Sequence, residues 1–112
     1  MKLNEAKKSG LVQSPSVPRW LAHGEIPHIR PTTQGVTRDL SAHELALIRV
    51  FEIVATVTNS NLDAAANAVH LVHQKLLCGI LTPLVLNNSD AVRIEIDLVA
   101  IVDKIAGVIG HE

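Results

Sequence analysis

Aromatic residues are almost missing from this 112-residue chain: Trp20 and Phe51 stand alone, with no tyrosine. The core must therefore be aliphatic, and the scarcity argues against stacking platforms for single-stranded nucleic acid, which need exposed aromatic rings. Cysteine occurs once, as Cys78, so no disulfide can form within the chain. No apolar run approaches the roughly 20 residues of a membrane span. The longest candidate, around residues 76–86, is short and contains Pro83. An apolar signal segment is missing near the N-terminus too, so a cytoplasmic protein without a membrane partner is expected. Catalytic signatures are equally scarce. There is no Gly-rich phosphate loop, no nucleophile elbow and no carboxylate pair in an apolar setting, so neither an enzyme nor a cofactor is expected.

What is present suffices for a real core: 47% of the residues are hydrophobic. The net charge of -1 speaks against a polyanionic partner at first. Its distribution does not. Residues 1–40 carry Lys2, Lys7, Lys8, Arg19, Arg30 and Arg38 against Glu5, Glu25 and Asp39, an excess of +3. Residues 41–112 carry Arg49, Lys75, Arg93 and Lys104 against eight acids, an excess of -4. A basic head is joined to an acidic remainder.

Residues 3–9 read as a short helix closed by Gly10. Ser14-Pro15 then offers a cap and an N-terminal proline for a second short helix over 15–23, closed by Gly24. Pro18 sits where its missing N–H begins to matter, so this helix is expected to start late or be distorted. Residues 25–40 hold two prolines, a glycine and several threonines, a composition suited to a hairpin-like loop or wing. Ser41 and Glu44 form a capping box for a helix carrying Leu45, Ile48, Phe51 and Val54 at helical spacing. A polar turn at 58–61 leads into an alanine-rich helix over 62–77, antiparallel to the last. Beyond Gly79 the period changes. An apolar run over 80–86, a turn at 87–90 and alternation over 91–97 predict a small β-hairpin, and Asp97 can cap a final helix.

In order, the first 77 residues read helix, turn, helix, wing, helix, helix, and this is similar to the DNA-binding head of the MerR family of transcriptional regulators. The residues carrying the likeness are Ser9-Gly10-Leu11 at the first turn and Arg19-Trp20-Leu21 with His23-Gly24-Glu25-Ile26 at the end of the second helix. Ile29-Arg30-Pro31 and the stretch from Gly35 to Ser41 look like the wing, and residues 43–56 resemble the helix after it. The chain departs from that pattern at Pro18, in a less basic second helix, and in replacing the long dimerising coiled coil by a hairpin and helix. The resemblance implies a mainly α (α+β) fold. A winged helix-turn-helix domain over 1–77 would precede a hairpin-plus-helix dimerisation module over 78–112.

It also implies a double-stranded DNA partner, with Lys7, Lys8, Ser16, Arg19, His23, His28, Arg30 and Arg38 as contacts to phosphates and base edges. An ordinary solvated basic surface is the plainer alternative. A protein-interaction module, of anti-activator or antitoxin type, is the rival function. Trp20 is expected to anchor the second helix on the Leu45–Phe51 face. The apolar Val92, Ile94, Leu98, Ile101, Val102, Ile105 and Ile109 exceed what a head of this size covers, so they are expected to form a homodimer interface. Intramolecular packing is the alternative. His70 and His73 stand at a spacing compatible with metal ligation, but partly exposed helical histidines explain them and no metal is expected. Cys78 follows an apolar run without basic neighbours and is expected to be buried.

Overall fold

The residue order from Ser41 to Thr58 dictates the central element. Ser41 accepts the Glu44 backbone N–H through its hydroxyl, and the Glu44 carboxylate accepts the Ser41 N–H, closing the expected capping box. The helix it opens is apolar nearly all round. Leu45, Ala46, Leu47, Ile48, Val50, Phe51, Val54 and Ala55 are all buried, which marks a helix enclosed by its neighbours rather than laid on a surface.

The computed structural model describes residues 1–30, 39–89 and 92–109, with the backbone only at 87–89 and 92. In chain order these form α1 (Leu3–Ser9), α2 (Val17–Ala22), α3 (Ala42–Val57), α4 (Leu62–Leu77), β1 (Leu84–Ser89), β2 (Val92–Ile96) and α5 (Leu98–Ile109). The fold is mainly helical with one small antiparallel two-stranded sheet among the described residues. Of the hairpin-like loop or wing expected over 25–40, residues 31–38 lie outside the described residues; 25–30 run through turns that bury Ile26 and Ile29, and Asp39 pairs with Lys2.

Short turns set the arrangement. α1 ends at Gly10, whose φ of 82° lies in the left-handed region that glycine enters without steric cost. The N–H groups of Leu11 and Val12 then close back onto the Ala6 carbonyl. α2 starts late, at Val17, because Pro18 fits only in a first turn, where helical N–H groups lack partners. Trp20 meets Phe51 edge-on at 5.0 Å between ring centroids and is buried, as its anchoring role requires. The segment entering α3 returns to the N-terminus: Leu40 donates to the Met1 carbonyl at 2.7 Å, and Lys2 pairs with Asp39 in an isolated antiparallel bridge.

The four-residue turn 58–61 folds α4 back on α3, and Asn61 caps α4 by accepting the Ala64 N–H. β1 and β2 pair antiparallel from Leu84 with Ile96 to Asn87 with Arg93, and the register shifts before Ser89 pairs with Val92. Asp97 accepts the Ala100 N–H and starts α5 as expected. α5 packs on α3, and one continuous apolar core runs from Ala6 through Leu84, Ile96 and Leu98 to Ile105.

Two expectations are corrected. Ile94, Leu98 and Ile105, expected at a dimer interface, are buried in the chain's own core because α5 and the hairpin fold against α3 and α4. Ile101, Val102 and Ile109 are half-buried, and the Val92 side chain lies outside the described residues. Cys78 is exposed, since the C-cap position of α4 turns it away from the face that carries Val69 and Val72.

Candidate functional site

The turn between α1 and α2 is held from beneath by an acid. Glu52 is 2% exposed at the centre of α3, on the stripe shared by Ile48 and Ala55. Its carboxylate accepts the backbone N–H of Gln13 at 3.0 Å and of Ser14 at 2.9 Å, and pairs with the Arg49 guanidinium one turn earlier. A buried charge is tolerable only when paired and hydrogen-bonded, and this one satisfies both conditions. On the far side, Lys104 of α5 donates to the Gly10 carbonyl at 3.2 Å. The turn is thus fixed by α3 and α5 together. Sequence reasoning missed Glu52. The available signal was an acid at a position where the helical period calls for an apolar residue.

Of the expected nucleic-acid contacts, Lys7, Lys8, Ser16 and Arg19 flank this turn in the chain. Lys7 and Lys8 form the basic last turn of α1 and are exposed. Arg19 is exposed on α2, opposite the buried Val17, Trp20 and Leu21. Ser16 is the N-cap residue of α2 and half-buried, and its N–H donates to the Ser14 hydroxyl. His23 caps the C-terminus of α2 and is exposed, as is Arg30 further on. Arg38 lies outside the described residues.

His28 sits differently from the other candidates. It adopts φ 66°, and its imidazole turns onto α4. Its Nε2 lies 2.7 Å from Nδ1 of His70, and its ring stacks on that of His73 at 3.9 Å between centroids. His43, in the first turn of α3, places Nε2 2.8 Å from Nδ1 of His73. Four histidines from three segments therefore meet on one side of α4. The i, i+3 spacing put His70 and His73 on one face, and the antiparallel α3–α4 pair brought His43 to the last turns of α4.

At each close contact one ring nitrogen must donate and the other accept, so the cluster suits neutral imidazoles. His28 titrates below its ordinary value of 6.5, first through loss of water around the ring and then through the neighbouring His73 and His70. His73 is lowered for the same reason, with His43 and His70 as the charged neighbours. No three histidine, cysteine or acidic side chains among the described residues converge on a single point as a metal cage would require. Nor is any described helix long and apolar enough to cross a membrane. No protein-family model, curated protein or solved structure matches this chain.

Proposed function

We propose that the chain is a small DNA-binding regulator in which α1, the Gly10–Ser16 turn and α2 act as a helix-turn-helix. The observation that carries this reading is the turn itself. Glu52 and Lys104 fix it from two sides, and Trp20 anchors α2 so that Arg19 faces outward. A rigid pedestal of this kind is what a short reading helix requires, because base contacts demand fixed geometry. The exposed Lys7, Lys8 and Arg30 supply positive charge for phosphates, matching the basic excess of the first 40 residues.

Two half-sites require a second copy. Ile94, Leu98 and Ile105 are buried and do not offer its surface; among the described residues Val57, Leu71, Leu77, Ile80, Leu81, Val85 and Val99 are the large apolar side chains left exposed. The same exposed group is the observation that favours the rival reading, a module binding another protein.

Binding to random duplex DNA over a salt series separates the two readings. A DNA-binding chain loses affinity steeply as salt rises, and Arg19→Ala flattens the log–log slope by about one if Arg19 meets a phosphate. Absence of binding at low salt would overturn the DNA reading and leave the interaction module.

A further inference from the structure

The four-histidine cluster has no part in the proposed nucleic-acid contact, and core packing does not explain it. His28 and His70 are exposed, while His43 and His73 are half-buried. The rings form a bonded row across three segments. His43 of α3 meets His73 of α4 at 2.8 Å, His28 stacks on His73 at 3.9 Å between centroids, and His28 meets His70 at 2.7 Å. The two nitrogen separations are those of hydrogen bonds, each with one nitrogen that donates and one that accepts. Tied to α3 through His43, His73 is the plate on which the His28 ring rests.

Protons act on such a bond in two steps. The first makes one ring an imidazolium, which still donates to its neutral partner. The second leaves donors on both sides and two positive charges facing each other, so the bond is lost. The charges that act on His28 are those of His73 and His70, and on His73 those of His43 and His70, so each opposes a further proton. Other charged groups on the packed elements are engaged or exposed. The Glu44 carboxylate, next to His43 on α3, accepts the Ser41 N–H, and Lys75 of α4 donates to the Thr82 hydroxyl. Glu25 and Arg30, on the same segment as His28, are exposed.

We propose that the His28–His70 pair is a two-proton latch, which clips residues 27–30 to α4 at neutral pH and releases them in acid. The backbone supplies the spring. His28 stands at φ 66°, in the left-handed region that a residue with a side chain adopts when its surroundings hold it there. Its ring contacts, with His70 and His73, both end on α4, so the second proton breaks one and sets charge against the other. Upstream, the Glu25 N–H is bonded to the Trp20 carbonyl at 3.0 Å and Ile26 is buried, so the release stops there. Ile29 is buried as well, so the released turn exchanges between seated and open forms instead of detaching. The lowered titration of His28 sets the direction: the latch holds above it and opens as pH falls through it. Latching is independent of the nucleic-acid reading and is measured with no DNA present.

The test follows the untagged, nitrogen-15-labelled full chain by NMR from pH 7.5 to pH 5.0, with circular dichroism reporting helicity. At pH 7.5 the amide order parameters of His28, Ile29 and Arg30 should match rigid backbone, about 0.85, and at pH 5.0 fall below about 0.6 while α4 keeps its value. The His28 and His70 rings should titrate in two coupled steps. His70→Ala, at an exposed helical position that alanine suits, leaves the turn loose at both pH values. His23→Ala, outside the cluster, behaves as the parent. His70→Asn separates a latch from a merely structural contact. Its side-chain amide sits on Cγ where histidine carries Nδ1, and its oxygen accepts from a protonated His28, so the turn stays ordered at pH 5.0. Three results would each overturn the proposal: order in the parent that acid does not change, a His70→Ala turn as rigid as the parent at pH 7.5, or loosening that comes only with loss of helicity.

Discussion

Replacing Glu52 with alanine tests the framework on which the α1–α2 turn rests. Two hydrogen bonds from Gln13 and Ser14 to a carboxylate contribute about 1.5–3 kcal/mol each. Gln13 is exposed and Ser14 half-buried, so water replaces part of what their N–H groups lose. The Arg49 guanidinium, 26% exposed, adds no more than about 1 kcal/mol as an ion-pair partner. The net expectation is a loss of about 2–4 kcal/mol, which for a chain of this length lowers the thermal midpoint by roughly 8–16 °C. Glu52→Gln, which keeps an acceptor and the volume but drops the charge, falls about midway. Urea unfolding supplies the magnitude, and amide exchange supplies the location. Gln13 and Ser14 should lose protection beyond the global change, while the interior of α4 follows the global change alone. A loss below about 1 kcal/mol, or equal loss of protection everywhere, would refute the claim that this carboxylate holds the turn.

Two further outcomes follow from the geometry. Gly10→Ala meets nothing closer than Lys104 Nζ at 3.7 Å, so its cost is the left-handed backbone alone, about 1 kcal/mol by urea unfolding; a neutral result would contradict the φ of 82°. His28 and His73 titrate below 6.5 when folded, so the unfolded chain binds more protons just beneath that value. Their contribution is fully present above about pH 6.5 and is lost as pH falls through the lowered folded values. The urea midpoint should drop from pH 7.5 to pH 5.5, and by less in a His28→Asn/His73→Asn variant. Equal drops in the two proteins would remove the histidines as the cause.

What was legible in the sequence was local. The Ser41–Glu44 box and the Asp97 cap depend on residues three apart, and alternation over 91–97 depends on the strand period, so no tertiary information was needed. Pro18 announced the late start of α2 for the same reason. Glu52 was not legible because its partners are backbone N–H groups nearly forty residues away, which leave no trace in side-chain identity. His70 and His73 showed half of their cluster through helical spacing. His43 arrived through the α3–α4 turn, and His28 through a left-handed residue no pattern announces. Cys78 misled because its apolar sequence neighbours Leu77, Ile80 and Leu81 are themselves exposed where α4 ends. Ile94, Leu98 and Ile105 read as surplus because the width of α3 available to cover them depends on packing.

That α3 is covered on several sides bears on how the sequence can change length. One inserted or deleted residue rotates everything beyond it by about 100°. In a surface helix such a slip trades one partly buried stripe for another and can be absorbed at the nearest loop. In α3 it would swing Glu52 away from the α1–α2 turn, Phe51 away from Trp20 and the neighbouring apolar side chains away from α4 and α5 in one movement. The helix behaves as a keyed shaft: substitutions along it can be negotiated one neighbour at a time, but its residue count cannot. Variation in length among descendants of this chain should therefore accumulate in its connections and stop at the two ends of α3.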